Sequence, residues 1–182
     1  MNENQRFHKT WLKWAVISGV ATFATTILII MLGIGMDYVT SFGISILVSI
    51  GILILAFREF KASNGGKMKY GHGVGMSALI GLVGGLIAGA LLAFYIGIIH
   101  PGIIEDIRKG QVEFFVNQKE KGILDWDEDT IIENVESGTT VSGTVKEYLW
   151  SSPVTGLISM ALLGLVVSAI MKQDSLKGTM MI

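Results

Sequence analysis

Residues Tyr70–Ile99, YGHGVGMSALIGLVGGLIAGALLAFYIGII, decide the fold. The stretch contains no Asp, Glu, Lys or Arg, and its one histidine, His72, stands at its start. Thirty residues in a helix, at about 1.5 Å per residue, outspan the ~30 Å hydrocarbon core of a bilayer. The run is continuous rather than alternating, so it predicts a helix and argues against a barrel strand. Every fourth position is small: Gly73, Ser77, Gly81, Gly85, Gly89, Ala93 and Gly97. Such a row lets a second helix approach backbone to backbone, which is how membrane helices associate when lipid is as apolar as leucine.

Working outward, three more uncharged runs appear: Trp14–Met36, Tyr38–Phe57 and Tyr148–Met171. They account for an unusual composition. Of 182 residues, 51% are hydrophobic and only 16% charged, against about 25% charged in an average soluble domain; mean hydropathy is +0.58. The expected fold is an all-α membrane protein with four transmembrane helices. Helices 1–3 (about 14–36, 38–57 and 72–99) occupy residues 1–99. A helical segment, 100–147, lies outside the cytoplasm, and the fourth helix with a tail fills 148–182. The first run is about twice the length of a signal-peptide core and no A-x-A site follows it, so it is read as retained.

Charge placement predicts orientation. Nine of the 14 Lys/Arg fall on residues 1–13, the loop 58–69 and the C-terminal tail, whereas 100–147 holds five basic and eleven acidic residues. The positive-inside rule therefore puts both termini and the 58–69 loop in the cytoplasm. Trp11, Trp14, Tyr95 and Trp150 occupy interfacial anchor positions. Ser152-Pro153 reads as an N-cap and first-turn proline opening the fourth helix, with Thr144–Trp150 a separate approach. His100-Pro101 ends the third helix, and Gly65-Gly66 marks a turn.

Within the insert, Ile103, Ile104, Ile107, Phe114 and Phe115 form a helical stripe with charges elsewhere, predicting an amphipathic helix broken at Lys119–Gly122. A second short helix is expected at about 129–137, with Ile131, Ile132 and Val135 inward and Thr130-x-x-Glu133 as its capping box. Gly138–Gly143 reads as a flexible connection. Asp125-x-Asp127-x-Asp129 offers oxygens at alternate positions, but Thr130 stands where a calcium loop needs glycine. Gly71-x-Gly73 follows no strand and makes a poor phosphate loop.

Much chemistry is excluded. A net charge of −1 argues against a nucleic-acid partner, and the absence of cysteine excludes disulfides, thiolate metal sites and thiol nucleophiles. His8, His72 and His100 form no ligand-spaced pair, and no span carries a buried acid or base, the usual mark of an intramembrane functional site. No catalytic residue, cofactor or metal site is expected, and the protein is read as non-enzymatic. Ser18, Thr22, Thr25 and Thr26 make a hydroxyl cluster on the first helix, for which backbone bonding and packing are the ordinary roles. The polar positions of interest are Asp37, Arg58, Tyr70, His72 and His100, all at membrane boundaries.

Gly65-Gly66, Met68-x-Tyr70-Gly71, His100-Pro101, a helical acidic insert and Ser152-Pro153 occur in an order that resembles the bacterial membrane proteins grouped as domain of unknown function 4199. The resemblance covers nearly the whole chain. It implies a small four-helix inner-membrane protein of Gram-negative bacteria and carries over no activity or site residues. It also hints at a neighbouring polyprenyl-phosphate glycosyltransferase.

Two functions follow as expectations. One is an accessory or assembly subunit whose small-residue row packs against another helix of this chain, a homo-oligomer or a membrane-protein partner such as an envelope-biogenesis enzyme. The other is a small carrier or channel for a lipid or neutral solute, which requires a polar crevice between the helices.

Overall fold

A computed structural model describes residues 2–32 and 38–172, with the side chains of residues 38 and 39 left aside. Asp37, one of the five boundary positions, lies outside the described residues. Six α-helices follow in order: α1 (Glu3–Met31), α2 (Tyr38–Ser63), α3 (Tyr70–Phe94), α4 (Ile103–Glu120), α5 (Glu128–Gly138) and α6 (Val141–Met171). A π-helical segment, Tyr95–Ile99, extends α3. No strand occurs among the described residues. Helices α1, α2, α3 and α6 are each long and apolar enough to cross a membrane, so the chain is a multi-pass all-α membrane protein.

Alternating direction brings the start of α1, the end of α2, the start of α3 and the end of α6 to one end of the bundle, the terminal end. Lys13 Nζ pairs with Glu59 Oε2 at 2.7 Å, and Lys61 Nζ donates to the Met171 carbonyl at 3.1 Å. The turn into α3 relies on Gly65 and Gly66, with φ of 66° and 79°; a side chain there would be strained. Helices α4 and α5 stand at the other end, the insert end.

Several boundaries differ from the sequence reading, each for a local reason. Helix α1 starts at Glu3 rather than near residue 14, because Asn2 and Gln5 cap it reciprocally: Gln5 N–H donates to Asn2 Oδ1 and Asn2 N–H to Gln5 Oε1. Its polar first turns therefore extend the helix beyond the apolar run. Helix α6 does not open at Pro153 but runs through it from Val141, capped by Thr140 Oγ1, which accepts from Gly143 N–H at 3.1 Å. Gly138–Gly143 is accordingly a one-turn junction with its own cap. Pro153 has no N–H for the carbonyl four residues back, and the helix continues because Pro153 is packed against Gly85. Helix α3 loosens into its π segment just before Pro101, where His100 N–H reaches back five residues to the Tyr95 carbonyl at 2.8 Å; the residue before a proline avoids the α region.

In the insert, Asp127 rather than Thr130 caps α5. Asp127 Oδ1 accepts from Thr130 N–H at 2.7 Å. Ile131 and Val135 are buried as expected, whereas Ile132 is exposed, being one position off the inward stripe. Arg108 ties the hairpin together: Nε donates to the Thr139 carbonyl at 2.9 Å and Nη1 to Glu105 Oε1 at 2.8 Å. Hydrogen bonding from the Thr130 side chain, then from its backbone N–H, holds the Asp127 carboxyl below the usual carboxylate range. A depressed folded value means the cap is complete above the unfolded value, about pH 4, and is lost as pH falls through the folded value. Amide exchange at Thr130 is therefore expected to be steady from pH 7 to about 5 once corrected for intrinsic rate, and to lose protection below about pH 4. Asp127→Ala is expected to abolish that pH dependence; an unchanged profile in the variant would assign protection to something other than the cap.

The seven small residues of α3 face one partner, α6, for most of their length. A Cβ added at Gly73 would meet Ser168, at Gly81 the Gly156 carbonyl and Met160, at Gly85 Ser152 and Pro153, at Gly89 Tyr148 and Ser152, and at Gly97 Val145. Ser77 lies against Gly164, and its hydroxyl donates to the Gly73 carbonyl. Ala93 is buried. The rows interlock because α6 has its own, Gly156, Met160, Gly164 and Ser168, in the opposite direction. A second close approach, at Gly19 of α1, lies off that row: a Cβ there would come 2.6 Å from Ile87 Cβ and 2.9 Å from the Gly84 carbonyl. Helix α3 is thus the central helix, held between α1 and α6.

Two apolar clusters divide the bundle. At the terminal end, Ile52, Leu53, Ala56, Phe57 and Phe60 of α2 join Met68, Met76, Ile80, Met160 and Val167. At the insert end, Ile96, Ile103 and Ile104 pack with Ile27, Ile30, Val145 and Tyr148. Helix α2 contributes to the buried core only from Ile52 onward; no described side chain from Thr40 to Gly51 is buried.

Candidate functional site: a hydroxyl-lined crevice

Between the two clusters lies a crevice of about 320 Å³. Its walls come from four helices: Ser18, Thr22, Thr25 and Thr26 of α1; Ser45, Val48 and Ser49 of α2; Gly81, Gly85 and Ala88 of α3; and Tyr148, Ser151, Ser152, Thr155, Gly156, Ser159 and Met160 of α6. Eleven of the 17 lining residues carry a hydroxyl and none is charged, while most of the lining surface is apolar. The position follows from packing. Glycines let α3 and α6 touch, so α3 supplies a floor with almost no side chains, while α2 joins the core only from Ile52 onward and leaves a gap beside its first half.

The hydroxyls differ in how they are satisfied. Ser45 donates to the Ser41 carbonyl at 2.9 Å and Ser159 to the Thr155 carbonyl at 2.6 Å, the usual backbone bonding of Ser and Thr in helices. Among the described residues, the side chains of Thr22, Thr25, Thr26, Ser49, Ser151, Ser152 and Thr155 find no hydrogen-bond partner. None of them is fully buried: Thr22, Ser151 and Thr155 are exposed and the other four half-buried, so each is open to a partner from outside the chain. A set of them facing one volume is therefore suited to a ligand, or to water, that donates and accepts hydrogen bonds. A charged group has no counter-charge in this lining, so the chemistry favours an uncharged one.

The boundary positions do not assemble into a site. His72 and Tyr70 lie at the terminal end, where the His72 ring packs against Phe7 and Phe60 at centroid distances of 5.8 and 5.9 Å. His72 Nδ1 is 3.2 Å from Glu3 Oε1 but out of hydrogen-bond alignment. Arg58 is exposed on α2, and Tyr70 is exposed at the start of α3. His100 lies at the opposite end, with Tyr95 Oη 3.4 Å from its Nδ1. Among the described residues no cluster of His, Asp or Glu is arranged to hold a metal ion, and the side chains of the Asp125–Asp129 segment serve as a helix cap and exposed charge.

Of the crevice residues, the sequence reading singled out the α1 hydroxyls as a cluster, Gly81 and Gly85 as packing positions and Ser152 as a cap. The signal for the others was present as spacing: Ser41, Ser45 and Ser49, and Ser151, Thr155 and Ser159, each recur at four residues and so share a helix face.

Comparison with known proteins yields one match. A family model described as "Protein of unknown function (DUF4199)" covers residues 13–173. No curated protein and no solved structure matches the chain.

Proposed function

The chain belongs to the DUF4199 family, and on that premise we propose that it is a non-enzymatic membrane protein that takes a neutral, hydrogen-bonding ligand, a lipid or an uncharged solute, into the crevice between α1, α2 and α6. The observation that carries this reading is the set of unpartnered hydroxyls facing an uncharged volume. A carrier needs a site whose groups are satisfied only when it is loaded, and hydroxyls supply that for polyols, esters and amides alike. The accessory-subunit reading rested on the small-residue row and on the outer helices; the row is taken up for most of its length by α6 of the same chain, which leaves α4 and α5 as the surface for an envelope-biogenesis enzyme or a second copy.

In this reading the terminal end faces the cytoplasm across a bacterial inner membrane. Arg6, Lys9, Lys13, Arg58, Lys61, Lys67, Lys69 and Lys172 gather there, and an excess of Lys and Arg on short loops marks the cytoplasmic side. A reporter that is active only in the cytoplasm, fused at the C-terminus, is expected to be active; activity of a periplasm-dependent reporter at that position would reverse the orientation.

The ligand reading is tested with the combined variant Thr25→Val, Ser49→Ala and Thr155→Val, which removes three partnerless hydroxyls at nearly constant volume. Both proteins are purified from native membranes in mild detergent, and their small-molecule content is identified by mass spectrometry. The parent is expected to retain an uncharged compound at near-stoichiometric level, and the variant at least tenfold less. Equal content in the two, or none in the parent, overturns the reading.

A further inference from the structure

We infer that the crevice is loaded sideways from the bilayer, and that its ligand is a membrane-dissolved amphiphile whose uncharged headgroup enters beside α2 while its chain stays in the lipid. The inference rests on the neutral-ligand reading above and adds the route and the ligand class.

Three observations support it. First, on α1, α3 and α6 the crevice is bounded by apolar residues in both directions along the bundle axis. On α1 the lining residues Ser18–Thr26 are followed by Ile27 and Ile30 of the insert-end cluster and preceded by Phe7, Trp11 and Trp14 of the terminal-end cluster. The same order holds on α3, with Ile80 before and Ile96 after Gly81–Ala88, and on α6, with Val145 before and Val167 after. On these three walls the crevice is bounded by apolar side chains toward both ends of the bundle.

Second, the crevice is open on its flank. Thr22, Ser45, Ser151, Thr155 and Ser159 line it and are also exposed on the outside of the bundle. Thr22, Ser45, Thr155 and Ser159 lie within the uncharged runs, away from Lys13, Arg58 and Lys172, so this mouth opens at the depth of the hydrocarbon. Of these, Thr22 and Thr155 have no partner among the described residues, and a headgroup seated beside them supplies one.

Third, size and flank chemistry agree. The cavity equals about ten waters, at roughly 30 Å³ each, which suits a compact headgroup and is far too small for a whole lipid. On the outer faces of α2 and α6, Leu47, Val154 and Ile158 are exposed apolar surface continuous with the surrounding lipid. Because α2 carries no described buried side chain before Gly51, its first half can tilt without disrupting the core, which makes it the wall best suited to admit the headgroup.

The absence of native cysteine permits a direct test on the full chain in phosphatidylcholine vesicles. Spin labels are placed by Ser49→Cys and, separately, Thr155→Cys, with Leu47→Cys as the lipid-facing reference. Collision rates with oxygen, which partitions into lipid, and with a water-soluble nickel chelate are compared. Oxygen is expected to exceed nickel several-fold at residues 49 and 155, as at 47. Nickel accessibility equal to or above that of oxygen, or no collision with either at both sites, overturns sideways loading. In the first case an uncharged solute loaded from water satisfies the parent reading, so the two fail separately.

The second arm dopes the vesicles with a diacylglycerol carrying a photoactivatable group in its acyl chain. Adducts are expected to concentrate on 42–49 of α2 and 151–159 of α6, and to fall at least fivefold in the Thr25→Val, Ser49→Ala, Thr155→Val variant. Adducts spread evenly over all lipid-facing helices, unchanged in that variant, show annular contact only and overturn the proposal.

Discussion

Gly81→Ala is expected to destabilise the protein by about 1–3 kcal/mol, the usual range for overpacking, whereas Gly75→Ala, six residues earlier on the same helix, is expected to stabilise it by up to about 1 kcal/mol. The opposite signs come from what the new methyl meets. At Gly81 it would press on the Gly156 carbonyl and stand 2.6 Å from Met160 Cβ and 2.8 Å from the Gly156 carbonyl carbon. Those are mostly backbone atoms, and they cannot rotate aside. At Gly75 nothing lies within 4 Å of the added carbon, so the substitution only reduces the entropy of the unfolded chain. Gly85→Leu, which meets the Ser152 backbone and Pro153 Cα, is expected to prevent α3 and α6 from docking at all. Equilibrium unfolding in detergent micelles followed by circular dichroism measures these changes. Shifts of the same sign at residues 75 and 81 would mean that helix propensity, not close approach, governs α3. Because lipid competes equally for apolar surface, loss of contact between these backbones has no compensating burial elsewhere.

Phe60→Ala should cost about 3–5 kcal/mol, the range for a phenylalanine removed from a packed core. The ring is fully buried. Phe7 meets it edge-on at 5.9 Å, and His72 does so at the same distance, so one side chain joins α1, α2 and α3. Helix α2 enters the buried core only through residues 52–60, and cutting that anchor should release the whole helix rather than one turn. Protease cleavage in the Asn64–Lys69 turn is expected to accelerate at least tenfold, alongside the loss of stability. Phe42→Ala is the control: Phe42 is 67% exposed at the other end of α2, and its removal should leave both readouts unchanged. Equal effects at 42 and 60 would show that α2 is held along its full length, and the lateral opening of the crevice would then need another explanation.

The elements differ in how legible they were. Helix α4 was readable because its apolar stripe begins after Pro101 and stops at Lys119–Gly122, and the structure ends it at Glu120. The start of α6 was misread because Ser-Pro is a common helix opening; here Thr140 caps an earlier turn, and Pro153 packs on Gly85 instead. Polar side chains at the boundaries drew notice as the rarest groups near a membrane, yet they are scattered over both ends of the bundle. The α1 hydroxyls are legible as a cluster but read as packing, since serine and threonine are common in membrane helices and each usually bonds its own backbone. Only the fold brings three such rows to one volume.

By itself, the sequence determined that four helices span a membrane, that α3 carries a face of small residues, and that charge is divided between two ends. Each of these depends on composition and period along one segment. Tertiary structure decided which helix covers that face, that α2 joins the core only from Ile52 onward, and that hydroxyls from α1, α2 and α6 meet around one uncharged volume. The physical reason is that lipid and neighbouring helices are equally apolar. A membrane helix therefore announces its length and its faces, while backbone approach and side-chain fit alone select what each face meets.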